Sequence, residues 1–118
     1  MKKFIRNIQL LNYNNYLIEG SILIDKGRII EVNPKVEPEV DEIIDGKGHF
    51  VSAGFIDVHV HLREPGGEHK ETIETGTQAA AKGGYTTICA MPNTRPVPDT
   101  VENLTHVNKL IEDKALVR

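Results

Sequence analysis

Gly54-Phe55-Ile56-Asp57-Val58-His59-Val60-His61-Leu62-Arg63-Glu64-Pro65-Gly66-Gly67 is the stretch on which the reading of this chain turns. From Phe55 to Leu62 it has the aromatic and β-branched composition of a strand. Side chains alternate along a strand, so Ile56, Val58, Val60 and Leu62 form an apolar side. Asp57, His59, His61 and Arg63 form the other side, and every one of them is ionisable. A plain solvated strand would mix Ser, Thr, Lys and Glu on its wet face. Imidazoles two positions apart sit roughly 7 Å apart along a strand, and their nitrogens can converge on one metal ion at about 2.0–2.1 Å each. An isolated His-x-His pair is more often not a metal site. Here an acid precedes the pair, an Arg follows it, and Glu64-Pro65-Gly66 ends the strand abruptly, so His59 and His61 are candidate metal ligands.

Toward the C-terminus the pattern is strand, helix, strand, helix. A Pro-Gly-Gly loop leads to a helix over Glu71–Lys82, with Ile73, Gly76 or Thr77, Ala80 and Ala81 as its inward face. Glu68, Glu71 and Glu74 crowd its start, where negative charge suits the helix dipole, and Gly83-Gly84 ends it. Tyr85 to Met91 reads as a second buried strand and Pro92 to Pro98 as a loop. Asp99 is read as the cap of a second helix, completed by Glu102 as a capping box, with Val101, Leu104, Val107 or Asn108, and Ile111 as its stripe. A third strand would begin at Leu116-Val117-Arg118. This alternation is the signature of a parallel sheet. A closed (β/α)8 barrel takes about 250 residues, so two of its eight units fit here. Both loops then fall at carboxyl ends of adjacent strands, where barrels carry their chemistry, and Arg63 and Asn93 can face one pocket.

Residues before this stretch read as short strands joined by tight turns. Phe4-Ile5, Ile8–Leu11, Tyr16–Glu19, Ser21–Ile24, Ile29–Val32, Glu42–Asp45 and His49–Val51 are the candidates, with a bulge or kink at Gly20. Asp25-Lys26-Gly27-Arg28 is a hairpin turn. The fold class is therefore α/β: a small β-sandwich unit over residues 1–52, then the first two βα units of a TIM barrel over residues 53–118. His49, His69 and His106 have no metal partners at useful spacing, and Lys82, Lys109 and Lys114 read as helix-surface charge.

The net charge of −3 and the lack of a basic run argue against a nucleic-acid surface. No stretch has the roughly 20 apolar residues that span a bilayer, and no signal-peptide segment follows the basic start. Cys89 is the sole cysteine and reads as a buried thiol, which suits a reducing compartment. The expectation is a soluble cytoplasmic protein with no nucleic-acid or membrane partner.

Gly54 to His61 resembles the first-strand signature of the amidohydrolase superfamily. His61-Leu62-Arg63-Glu64-Pro65-Gly66 together with Met91-Pro92-Asn93-Thr94 is similar to the dihydroorotase family of the long bacterial type, and the likeness extends over essentially the whole chain. Ala53 departs from the Pro more usual there. The resemblance implies a zinc enzyme, with one or two Zn2+ per complete site, interconverting (S)-dihydroorotate and N-carbamoyl-L-aspartate in pyrimidine (UMP) synthesis. It makes His59 and His61 zinc ligands, and His61, Arg63 and Asn93 substrate contacts. Arg offers a planar fork that fits a carboxylate, and Asn can donate and accept beside it. Arg63 also separates this reading from allantoinase- or dihydropyrimidinase-type amidases, whose rings carry no carboxylate at that place. Asp57 reads as a partner orienting a His, or as structure, and the plain alternative for Arg63 is an ion pair with Glu64 or Asp57.

The resemblance places the remaining His ligands, a bridging carboxylate and the catalytic Asp beyond Arg118, so no catalytic residue lies in this chain. Its small-molecule substrate would then be handled together with the remainder of the barrel or a second chain. The competing expectation is a truncated, non-catalytic fragment.

Overall fold

The structure, a computed structural model, describes residues 1–118 and divides into two compact units, Met1–Ala53 and Gly54–Arg118. No helix is long and apolar enough to cross a membrane.

The first unit is one four-stranded sheet in the order β3-β2-β1-β4, formed by β1 (Lys2–Leu11), β2 (Leu17–Asp25), β3 (Arg28–Val32) and β4 (Glu42–Phe50). β1 runs antiparallel to β2 and parallel to β4. The strands are longer than the sequence suggests because bulges carry them through their irregular points. Asn7, at φ 55°, is the extra residue between the pairs Ile5–Ile22 and Ile8–Gly20. Lys47 (φ 52°) and Gly48 (φ 73°) do the same within β4. The bulge thus sits opposite Gly20, where a Cβ would lie 2.8 Å from Asn33 Oδ1; Gly20 marks a close approach instead. The Lys26-Gly27 hairpin forms as read, both residues taking the left-handed conformation (φ 49° and 75°). Phe4, Ile8, Ile22 and Leu23 make the core of this unit. The chain supplies one sheet here, and every residue of β3 is exposed.

The second unit holds β5 (Phe55–Val60), α1 (Ile73–Lys82), β6 (Tyr85–Ala90) and α2 (Val101–Lys114). β5 and β6 are parallel neighbours with α1 as the crossover. The chain after α2 returns to β6 at one residue: Ile88 N donates to Arg118 O (2.8 Å) and Arg118 N donates to Thr86 O (3.1 Å). These two bonds have the pattern of a parallel bridge, and no third strand is formed.

Thr72 caps α1, accepting from Thr75 N in a capping box. Ile73 and Thr77 are the buried face, at 2% and 1% exposure. The cap of α2 is Thr100, not Asp99: Thr100 is extended and its Oγ1 accepts from Asn103 N (3.1 Å). Asp99 takes the Asn103 side-chain amide instead (3.3 Å), so the Asp99–Glu102 box does not form.

Along the apolar side of the Phe55–Leu62 stretch, full burial is confined to its end. Leu62 is buried, but Ile56 and Val58 are 64% and 70% exposed, since α1 packs on β6 and α2. Cys89 is exposed, not buried, on the same two-stranded sheet.

Candidate active site

β5 ends at Val60, two residues earlier than its composition suggests, and the chain then turns. Arg63 adopts the left-handed conformation (φ 66°) beyond the end of β5, and the register of β5 already slips between Asp57 and Val60, so the strict alternation read through Asp57, His59, His61 and Arg63 is not kept. What carries it to the site is the loop and not the pleat.

The His59 and His61 rings lie with centroids 5.3 Å apart at 68°. Two imidazoles binding one tetrahedral ion through nitrogen would hold their centroids about 5 Å apart, so the pair fits a shared metal. His61 Nδ1 lies 3.0 Å from Asn93 Oδ1. With an amide oxygen as the partner, the tautomer that completes this bond has the hydrogen on Nδ1, and that tautomer leaves the Nε2 lone pair free. A metal-binding His is commonly oriented in this way by an acceptor behind it. Asp57 does not play that part: its Oδ1 accepts from the His59 backbone N (2.9 Å), which fixes the strand end. No third His, Cys, Asp or Glu joins the pair.

The loops after β5 and β6 are tied together. Met91 N donates to Val60 O (2.8 Å) and Arg95 N to Pro65 O (2.9 Å). The second contact needs Gly66, which is at φ 90° and where a Cβ would stand 2.6 Å from that of Arg95. Between the loops is a cavity of ≈ 250 Å³ lined by Arg63, His69, Lys70, Asn93, Thr94 and Arg95 and by the Pro65-Gly66-Gly67 turn. Arg63 and Asn93 thus share a cavity, and Asn93 joins it to the His pair. His69, set aside as a ligand, is on this wall; His49 bonds Gly46 O (2.8 Å) in the first unit.

Arg63 pairs with neither Glu64 nor Asp57. Glu64 is instead the buried acid of the second unit, at 5% exposure. Its Oε2 accepts from Ile73 N at the start of α1 (2.8 Å), and its Oε1 takes Lys114 from the end of α2. Lys114 is therefore not free surface charge, and the Glu64 carboxylate holds its pKa above the ordinary lysine value. The sequence reading missed Glu64, Lys70 and Arg95. An acid between Arg and Pro just ahead of a helix is the one local hint for Glu64; nothing local marks the other two.

Glu68 braces the loop from outside. Its carboxyl is held below its ordinary value of 4.5, first by the Gly66 N–H that donates to it (2.8 Å), then by its own N–H, with smaller help from Lys114 and His69. A lowered folded pKa means support that is complete above the unfolded value and fades as pH falls through the folded one. The Gly66 amide proton resonance should shift on acidification with a midpoint below 4.5, and Glu68→Gln should abolish that step.

Residues 48–118 match the family described as Dihydro-orotase-like. The dihydroorotase of Staphylococcus aureus (strain N315) is 61% identical over 117 residues, covering 98% of this chain and 27% of that protein. That of Staphylococcus epidermidis (strain ATCC 12228 / FDA PCI 1200) is 54% identical, covering 98% and 28%. Among solved structures, the L-hydantoinase (dihydropyrimidinase) from Arthrobacter aurescens superposes with TM-score 0.84 at 27% identity, over 98% of this chain and 26% of that one. A D-hydantoinase gives 0.80 at 33% identity, over 99% and 26%. The chain spans about a quarter of the length of these relatives, at their N-terminal portion. With a family match across the site-bearing unit and such identity across nearly all its residues, the chain belongs to the dihydroorotase-like family.

Proposed function

We propose that this chain is the N-terminal part of a zinc-dependent dihydroorotase. In this reading residues 1–52 contribute to a composite β-sandwich and residues 53–118 are the first two βα units of a (β/α)8 barrel. The remaining strands would continue the sheet past Arg118 and cover Ile56 and Val58. The observation that carries the reading is the joined pair of settings around Asn93: two imidazoles at metal-sharing distance on one side, an Arg-bearing cavity on the other.

In this mechanism His59 and His61 would hold the ion through ring nitrogens, and the rest of the ligand set would come from outside this chain. The chemistry supplied by a bound zinc is Lewis acidity toward the ring amide carbonyl and the attacking water. Arg63 receives the substrate carboxylate through its guanidinium fork, setting the ring in register with the imidazoles. Asn93 fixes the His61 ring by accepting from Nδ1 and offers its amide N–H to the substrate. Gly66 lets the two loops close around that carboxylate. The reacting carbonyl is thus presented by positioning, the largest contribution this portion can make.

The second reading, a hydantoinase or dihydropyrimidinase type, is favoured by the structural neighbours. Their identities, 27% and 33%, are well below the 61% to a dihydroorotase, and Arg63 would have no carboxylate to meet in a neutral ring. A non-catalytic fragment would leave the same residues without their complement. A chimera discriminates, with this chain replacing the corresponding 27% of the staphylococcal relative. It should hydrolyse dihydroorotate and re-form it from N-carbamoyl-aspartate, with dihydrouracil and hydantoin slower by about a hundredfold or more. Turnover of neutral rings with none of dihydroorotate would decide for the second reading.

A further inference from the structure

We infer that Glu64 is a positioning residue for Arg63: its carboxylate, tied to the start of α1 and the end of α2, holds the turn that presents the guanidinium to the substrate. The inference rests on the reading of Arg63 as the holder of the substrate carboxylate. Arg63 is the apex of a tight turn, in which Glu64 N donates to Leu62 O (2.8 Å) and the apex itself is at φ 66°. A bond between residues two apart, closed around a positive φ, is rare and strained. Such a conformation persists only where its surroundings over-determine it.

The two residues that flank the apex supply that restraint. Leu62 and Glu64 are 6% and 5% exposed, while Arg63 between them is half-buried. Leu62 is held by packing: a Cβ on Gly76 of α1 would stand 2.5 Å from its Cδ2. Glu64 is held by its carboxylate, whose Oε2 accepts from Ile73 N (2.8 Å) and whose Oε1 receives Lys114. Charge-assisted bonds are about twice as strong as neutral ones, and these two fix the backbone that forms the second arm of the Arg63 turn. Neither Glu64 nor Lys114 lines the Arg63 cavity, so each acts through Arg63 and not on the ligand.

The sign of the effect separates position from field. By charge alone, removing the Glu64 anion would favour an anionic substrate, and removing the Lys114 cation would disfavour it. Through position, both removals loosen one tie and both disfavour that substrate. The test uses the chimera with dihydroorotate and dihydrouracil as paired substrates. Glu64→Gln should lower kcat/KM for dihydroorotate about twentyfold and Lys114→Met about fivefold, with dihydrouracil down about twofold or less in each. Lys114→Arg keeps the cation and should stay within about twofold of the parent on both rings. The ratio between substrates is read on the same folded molecules, so a smaller folded fraction does not produce it. Hydrogen exchange gives a readout apart from turnover. The amide of residue 64 should exchange about tenfold faster in Glu64→Gln, while Met91 N–H, which donates to Val60 O, keeps its rate. Equal losses on the two rings, a gain on dihydroorotate with Glu64→Gln, or equal acceleration of both amides would overturn the inference. A parent chimera that turns over only neutral rings sinks the proposed function, and exchange at residue 64 still decides whether Glu64 holds the turn. A parent active on dihydroorotate, whose variants lose both rings alike, sinks the positioning role alone.

Discussion

Glu64→Ala should lower the unfolding free energy of the chain by about 3 kcal/mol, seen as a lower urea midpoint at unchanged slope. The expectation comes from what one carboxylate does in three places. It sits almost wholly out of solvent, accepts the first free N–H of α1, and receives Lys114 from the far end of α2. Truncation leaves the Ile73 N–H unpaired in a place water reaches poorly and takes away the partner of Lys114. Glu64→Gln keeps an acceptor for Ile73 but removes the charge, so it should fall between wild type and Glu64→Ala. Lys114→Met should also destabilise, because it leaves the buried Glu64 carboxylate with the Ile73 N–H but no cation. If both Glu64 variants unfolded at the wild-type midpoint, the acid would be a bystander.

That same acid shows where reading a sequence stops. The alternation of strand and helix was legible because periods of 2 and 3.6 are local, and α1 ends at Lys82 as its glycines indicate. The register of β5 slips between Asp57 and Val60 and His61 lies past the strand's end, so the pleat alone does not bring the two imidazoles together, while the meeting of His61 with Asn93 follows from two loops at the same end of a parallel pair. Arg63 reaches its cavity for a reason the pleat does not contain. Its backbone turns left-handed, and Gly66 then admits Arg95 from the neighbouring loop. Asp99 and Thr100 are both good caps by composition, and only the extended backbone at Thr100 decides between them. Glu64 and Lys114 are 50 positions apart, so no local pattern could pair them. Nor does alternation say how far helices cover a strand, and Ile56 and Val58, on its apolar side, lie exposed.

Arg63→Asn in the chimera should lower kcat/KM for dihydroorotate by about 10²–10³-fold, while dihydrouracil turnover falls severalfold at most. Asn is the informative replacement because of the backbone it must occupy. At φ 66° most residues are strained, and Asn is the non-glycine side chain that tolerates this region best. The substitution therefore removes the fork and leaves the turn, so the loss reads the side chain and not a misfolded loop. Arg63→Lys separates charge from shape: it keeps the cation but loses the bidentate grip, and should recover part of the affinity. If the guanidinium only gathers substrate, the loss falls in KM. If it sets the ring against the imidazoles, kcat falls as well, which is the outcome expected from its place across Asn93 from His61. An equal loss on neutral and carboxylate-bearing rings would mean that Arg63 supports the loop and does not recognise the acid.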